Sequence, residues 1–215
     1  MIGVKVEKMS RGQVIVQRFG VAPGALINAN WRRRAAAKAL DLLPSCRPGN
    51  IVLLRGASGS GKSMLLRELS TLLGARAVTC EEATVADKLV VDCLAWLELE
   101  EALEVLARFG LGEVHTYLSP AQHLSTGQRG RLQLAVAYAR AMAGRERVLL
   151  ADEFATQLDR FSAAVIARNL RRVLNADARL GAVVATCHDD LEKALRPDVV
   201  VYCDFGVYQT VRPVP

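Results

Sequence analysis

A chain of 215 residues, 51% apolar but only 5% aromatic, has material for one substantial core built from Ala, Val and Leu, which excludes a disordered segment and leaves too little for two full domains and a linker. A formal charge of +6 and a pI near 9.3 leave it able to approach polyanions, so nucleic acid is one expected partner, with ATP or plain solubility as sufficient alternatives. Five cysteines without CxxC spacing, a start lacking an apolar leader core and no apolar run long enough to span a bilayer predict a reduced, cytoplasmic protein without direct membrane insertion.

Taken in chain order, residues 13–17 form a short β-branched run that reads as a strand, and Arg32, Arg33 and Arg34 lie in a helical-looking stretch as a solvated basic face. Residues 50–55 follow Pro48-Gly49 as a buried central strand, and 64–73 carry helical periodicity. Helices are expected over 99–109, 129–142, 160–174 and 191–195, with strands over 147–150, 182–186 and 199–202. Strands alternating with helices predict an α/β fold with a mainly parallel sheet covered on both faces. With no repeat or linker in view, residues 1–215 read as a single domain.

Between the second strand and its helix stands Gly56-Ala57-Ser58-Gly59-Ser60-Gly61-Lys62-Ser63, which fits the phosphate-binding pattern G-x-x-x-x-G-K-[ST] of a P-loop NTPase. The pattern puts backbone amides and a helix N-terminus around the phosphates of ATP. Gly59 and Gly61 let the backbone curl close to the oxygens, Lys62 neutralises the β- and γ-phosphates, and the Ser63 hydroxyl ligates Mg²⁺. Arg67 and Glu68, one turn on, read as a surface ion pair. The strand Val148-Leu149-Leu150-Ala151 ends in Asp152-Glu153, at the strand end where ligands of open α/β sheets gather. Asp152 there holds Mg²⁺ through water, and Glu153 orients and deprotonates the attacking water.

Leu124-Ser125-Thr126-Gly127-Gln128 precedes the helix over 129–142. In isolation it reads as an N-cap, with Ser125 capping and Gln128 at the capping-box position. Its place between the two ATPase motifs makes the chain resemble the ABC ATPases, whose signature Leu-Ser-Gly-Gly-Gln differs only at Thr126. The likeness continues through Ala155-Thr156-Gln157-Leu158-Asp159, which looks like the D-loop, and Ala185-Thr186-Cys187-His188, where His188 ends a strand as the switch histidine does. The resemblance implies that Ser125, Thr126, Gly127 and Gln128 serve the P-loop of an opposite subunit, that Asp159 communicates across the dimer, and that His188 contacts the γ-phosphate. It thus implies ATP and Mg²⁺ sandwiched in a homodimer. His115 and His123 read as ordinary histidines.

Two family features are blurred. The stretch between Ser63 and Leu124 is short, so the helical subdomain, about 85–142, is reduced, and no Gln follows the preceding strand; Asp92 is the nearest polar stand-in. The adenine-stacking aromatic is Phe19, because it follows a strand, with Trp31 as the competitor. The compact middle region resembles a stand-alone branch of the family found in phages, bacteria and archaea. The expected function is therefore an ATP-hydrolysing dimer that drives a conformational cycle on a macromolecule, nucleic acid first or a protein partner. The alternatives are the ATP-binding subunit of a transporter with separately encoded membrane subunits, and a switch that binds ATP without hydrolysing it.

Overall fold

The computed structural model describes residues 24–80, 88–144, 147–176 and 179–213 together with Arg11 and Arg18, and in the first helix the side chains from 30 onward. That helix, α1 (Gly24–Leu42), buries Ala35, Ala39 and Leu42 at helical spacing and leaves Arg33 and Arg34 exposed. The small side chains let α1 lie close against α2 (Lys62–Leu73), which buries Leu65, Leu66, Leu69 and Leu73.

Six strands make one sheet in the order β2-β3-β4-β1-β5-β6. The central strand β1 (Ile51–Arg55) pairs in parallel with β4 (Leu180–Thr186) and β5 (Val199–Asp204), so that Leu53 stands opposite Val184 on one side and Val200 on the other. β3 (Arg147–Ala151) and the short β2 (Ala77–Thr79) continue the parallel array, and only β6 (Val207–Val211) is antiparallel, as a hairpin with β5.

Alternation along the strands sends side chains to two separate cores. Val52, Leu54, Val148, Leu150, Val183 and Ala185 pack under α1 and α2. Ile51, Leu53, Leu149, Ala151, Ala182 and Val184 pack on the opposite face with the helices that follow. Those are α3 (Leu99–Arg108), α4 (Val114–Tyr117), α5 (Thr126–Met142), α6 (Arg160–Ala176) and α7 (Glu192–Leu195). Fully buried Phe109, with its ring centroid 5.5 Å from that of Tyr138, locks the end of α3 to α5.

The expected α/β architecture is present, and each expected element inside the described residues is found within a few positions of its range. The strand expected over 13–17 lies outside them. α1 matches the helical-looking stretch around Arg32, Arg33 and Arg34, whereas α4, β2 and β6 were not anticipated as elements. β2 is three half-buried residues, and β6 leaves most of its side chains exposed on the sheet edge, so neither carries the apolar pattern of a core strand.

Candidate nucleotide site

β1, β4 and β3 end in near register, with Arg55 opposite Thr186 and Ala151 opposite Val184. The segments that leave these strands, 56–61, 187–188 and 152–159, therefore emerge along one edge of the sheet. Gly56 starts the first so close to β5 that a Cβ would lie 2.2 Å from the Cys203 carbonyl oxygen. Gly59 and Gly61 adopt φ of 77° and 99°, the left-handed region that side chains resist.

Lys62 opens α2, 8% exposed, and its Nζ folds back to donate to the carbonyls of Gly56 and Ala57, both at 2.7 Å. No carboxylate pairs with it among the described residues. A buried ammonium held only by neutral carbonyls at a helix N-terminus suits a polyanion such as a nucleotide phosphate chain. Ser60 Oγ, buried beneath the loop, has no partner among the described residues.

Ser63, Asp152 and Glu153 line one cavity of about 570 Å³. One hydroxyl and two carboxylates are hard oxygen donors of the kind Mg²⁺ prefers, and the donor set fits that ion. Glu153 and Ala155 stand at φ of 47° and 58°, unusual for residues with side chains, and the bonds around them hold this turn. The Glu153 amide donates to Asp152 Oδ1 at 2.9 Å, while the Glu153 carbonyl accepts from the Thr156 amide at 3.1 Å and its hydroxyl at 2.9 Å. The Phe154 amide donates to the Ala185 carbonyl at 2.8 Å, tying the turn to β4. His188 Nε2 is buried and has no partner among the described residues.

Thr126 and Gly127, at the start of α5, line the same cavity. The capping box is present: the Gln128 amide donates to Ser125 Oγ at 3.2 Å and the Ser125 amide to Gln128 Oε1 at 3.0 Å. A Cβ on Gly127 would come within 2.9 Å of Leu158 Cδ2, so the glycine lets the signature segment pack on the turn after β3. Asp159 caps α6 by accepting from the Ser162 amide at 2.9 Å, and hydrogen bonding by Ser162 holds its carboxyl below the ordinary range.

Several expectations change. Glu68 pairs with Arg32 of α1 at 2.9 Å rather than with Arg67, which lines the cavity; residues adjacent on a helix point apart. Asp92 sits exposed in the 3-10 turn Val91–Leu94 and does not follow a sheet strand. The residue that leaves β2 is Cys80, which lines the cavity. Phe19 lies outside the described residues. Trp31 meets Phe205 edge-on, centroids 6.1 Å apart, beside Gly206, whose amide donates to the Ser60 carbonyl at 3.3 Å. Sequence reasoning missed Thr186, Cys80 and Tyr208. Only Thr186, a hydroxyl closing an apolar strand, left a signal that could have been followed.

No family model matches the chain. Over 212 residues it is 30% identical to the phosphonates import ATP-binding protein PhnC 2 of Pseudomonas savastanoi pv. phaseolicola, covering 75% of this chain and 73% of that one. It is 32% identical to the molybdenum import ATP-binding protein ModC of Mycobacterium tuberculosis, over 85% of this chain and 59% of that protein. It is 29% identical to the cytochrome c biogenesis ATP-binding export protein CcmA of Nitrosomonas europaea, covering 68% of this chain and 79% of the other. Among solved structures, a dimeric ATP-binding cassette in a post-hydrolysis state bound to ADP and phosphate superposes with a TM-score of 0.61 at 20% identity, over 78% of this chain and 87% of that one. The chain belongs to the ABC-type ATP-binding proteins, with the fold of their cassettes. Nucleic acid, suggested by the basic balance, has no counterpart in the names of these relatives, which are import and export proteins.

Proposed function

We propose that this ABC-type ATPase works as a two-copy ATP sandwich on the cytoplasmic face of a membrane, driving a transport partner built from separately encoded membrane subunits. The observation that supports it most is the convergence of Ser63, Asp152 and Glu153 on one cavity, with Lys62 opening the same helix as Ser63. The whole chain, 1–215, is read as one ATPase domain with a short helical part. No helix among the described residues is long and apolar enough to cross a membrane, so a transport role needs membrane partners. Trp96, Leu99, Val114 and Leu118, between 48% and 71% exposed, give the helical part an apolar surface suited to such a subunit. Relatives named as import and export proteins favour this partner over nucleic acid.

In this reading the amides of the loop carrying Gly56, Ser58, Gly59, Ser60 and Gly61 hold the phosphate chain, and Lys62 exchanges its two carbonyl partners for phosphate oxygens. Ser63 and Asp152 hold Mg²⁺, which supplies charge neutralisation on the phosphates. Glu153 accepts the proton of the attacking water, and His188, with Nε2 free of protein partners among the described residues, donates to a γ-phosphate oxygen. Ser125, Thr126, Gly127 and Gln128 close the site of the second copy, and Asp159 stands at the junction. Loss of the bridging γ-phosphate reopens the pair.

Steady-state hydrolysis tests the reading alongside Glu153→Gln, which should lose roughly 10²–10⁴-fold in turnover while keeping ATP binding. Light scattering should find the variant as a dimer only with ATP. Wild-type inactivity together with a monomeric variant would sink the sandwich, whereas ATP-dependent dimerisation without wild-type turnover would point to a non-hydrolysing switch. Fractionation of producing cells tests the partner. Trp96→Asp should shift the chain from the membrane to the soluble fraction, and a wild type found wholly soluble refutes the membrane partner.

A further inference from the structure

Thr186 is the last residue of β4 and is fully buried, one of four buried polar or charged side chains among the described residues. A hydroxyl in that position needs partners, and it has two. Oγ1 donates to the Phe154 carbonyl at 3.0 Å and accepts from the His188 amide at 3.2 Å. Phe154 lies between the two left-handed residues of its turn, Glu153 and Ala155, and its own amide is fixed by the neighbouring Ala185 carbonyl. Phe154 is itself 4% exposed. The turn that presents Glu153 is thus held by β4 at both its amide and its carbonyl, and one hydroxyl joins it to the backbone of His188.

We infer that Thr186 is a positioning residue for hydrolysis: its hydroxyl sets the separation and orientation of Glu153 and His188 by bonding to the backbones that carry them. The inference rests on the roles given to Glu153 and His188 under the proposed function. The geometry explains why a β-branched residue with a hydroxyl suits this place. Val would fill the same volume and leave both a buried carbonyl and a buried amide without a partner. Ser would keep both bonds, with only a methyl lost. In the Val variant the strained turn would be free to relax toward ordinary φ values, carrying the carboxylate away from the water it must deprotonate.

The experiment compares wild type, Thr186→Val, Thr186→Ser, His188→Ala and the Thr186→Val/His188→Ala pair in steady-state ATP hydrolysis. ATP affinity is read separately by fluorescence titration with a nucleotide analogue. Thr186→Val should lower kcat about tenfold or more while KM and analogue affinity stay within about twofold, because the lost bonds act on the reacting geometry and not on binding. Thr186→Ser should stay within about threefold of wild type. Because the hydroxyl acts in part through His188, adding Thr186→Val to His188→Ala should cost clearly less than it does alone.

A Thr186→Val variant at the wild-type rate overturns the inference, as does one whose loss falls on KM and affinity. Thr186→Ser as poor as the Val variant, or losses that simply multiply in the pair, overturn it equally. Absence of hydrolysis by the wild-type protein overturns the assigned roles and this inference with them. Wild-type hydrolysis beside an unimpaired Val variant overturns the inference alone.

Discussion

The phenolic hydroxyl of Tyr208 donates to the Gly61 carbonyl at 3.2 Å, so an exposed edge strand reaches under the loop that leads into α2. A Cβ on Gly61 would sit 2.8 Å from that hydroxyl, which makes the contact specific to glycine at this position. Burial raises the phenol to about 12, so it remains a donor at neutral pH. Tyr208→Phe removes one net hydrogen bond of about 1 kcal/mol, and KM for ATP should rise about fivefold with kcat little changed. Steady-state kinetics read this, and an unchanged KM would mean that the bond does not order the loop.

Cys46 and Cys203 are buried thiols, raised by desolvation to about 11 and about 12, and Tyr208 rises to about 12 for the same reason. In each case the folded value lies above the unfolded one. The stability they contribute is complete below the ordinary thiol and phenol values, about 8.5 and 10, and is lost as pH rises through the folded values. Urea midpoints should therefore fall steadily from about pH 9 to 12, and Cys46→Ala with Tyr208→Phe should flatten the fall. An identical slope in that double variant would assign the alkaline loss to other groups.

The parts of the fold legible in the sequence were those with a local cause. Glycines at 56, 59 and 61 announce a tight loop, and an apolar run ending in Asp152-Glu153 announces a strand with its load at the tip. Ser125 and Gln128 announce a cap, and the cap is present. What stayed hidden depends on register. Thr186 is one more residue of a strand until β4 is seen lying between β1 and β3. Tyr208 belongs to a mostly exposed hairpin strand whose partner in the site is 147 residues away. The pairing of Glu68 with Arg32 needed α1 against α2, and no periodicity predicts which helix packs beside which.

The base end of the nucleotide separates two aromatics. Trp31 stands beside the turn at Gly206 that touches the P-loop, whereas Phe19 is the assignment from sequence. If Trp31 stacks on the base, Trp31→Ala should raise KM for ATP about tenfold, since one stacked base is worth about 1–3 kcal/mol, and Phe19→Ala should not. In a Trp96→Phe background, ATP should also alter Trp31 emission. The reverse pattern restores Phe19.

Ser125 caps α5, and under the proposed sandwich it also meets a second copy's phosphate; one substitution pair separates the two roles. Ser125→Ala should cost about 1 kcal/mol of stability by uncapping α5. Ser125→Asp keeps an acceptor for the Gln128 amide but sets a negative charge where a second copy's phosphate would lie. The Asp variant should melt near wild type yet fail to dimerise with ATP in a Glu153→Gln background. ATP-dependent dimers of that variant would remove Ser125 from the phosphate contact.

Helix α5 begins at the signature segment and runs with a buried body against β2 and β3, the strand that delivers Asp152 and Glu153. In a sandwich dimer, one stiff rod would therefore touch the neighbour's nucleotide at its tip and, along its flank, the strand that leads to its own carboxylates. Neither site can empty without tugging on the other. Turnover in the pair becomes a conversation, cooperative in ATP, and a dimer with one crippled site should run at less than half speed.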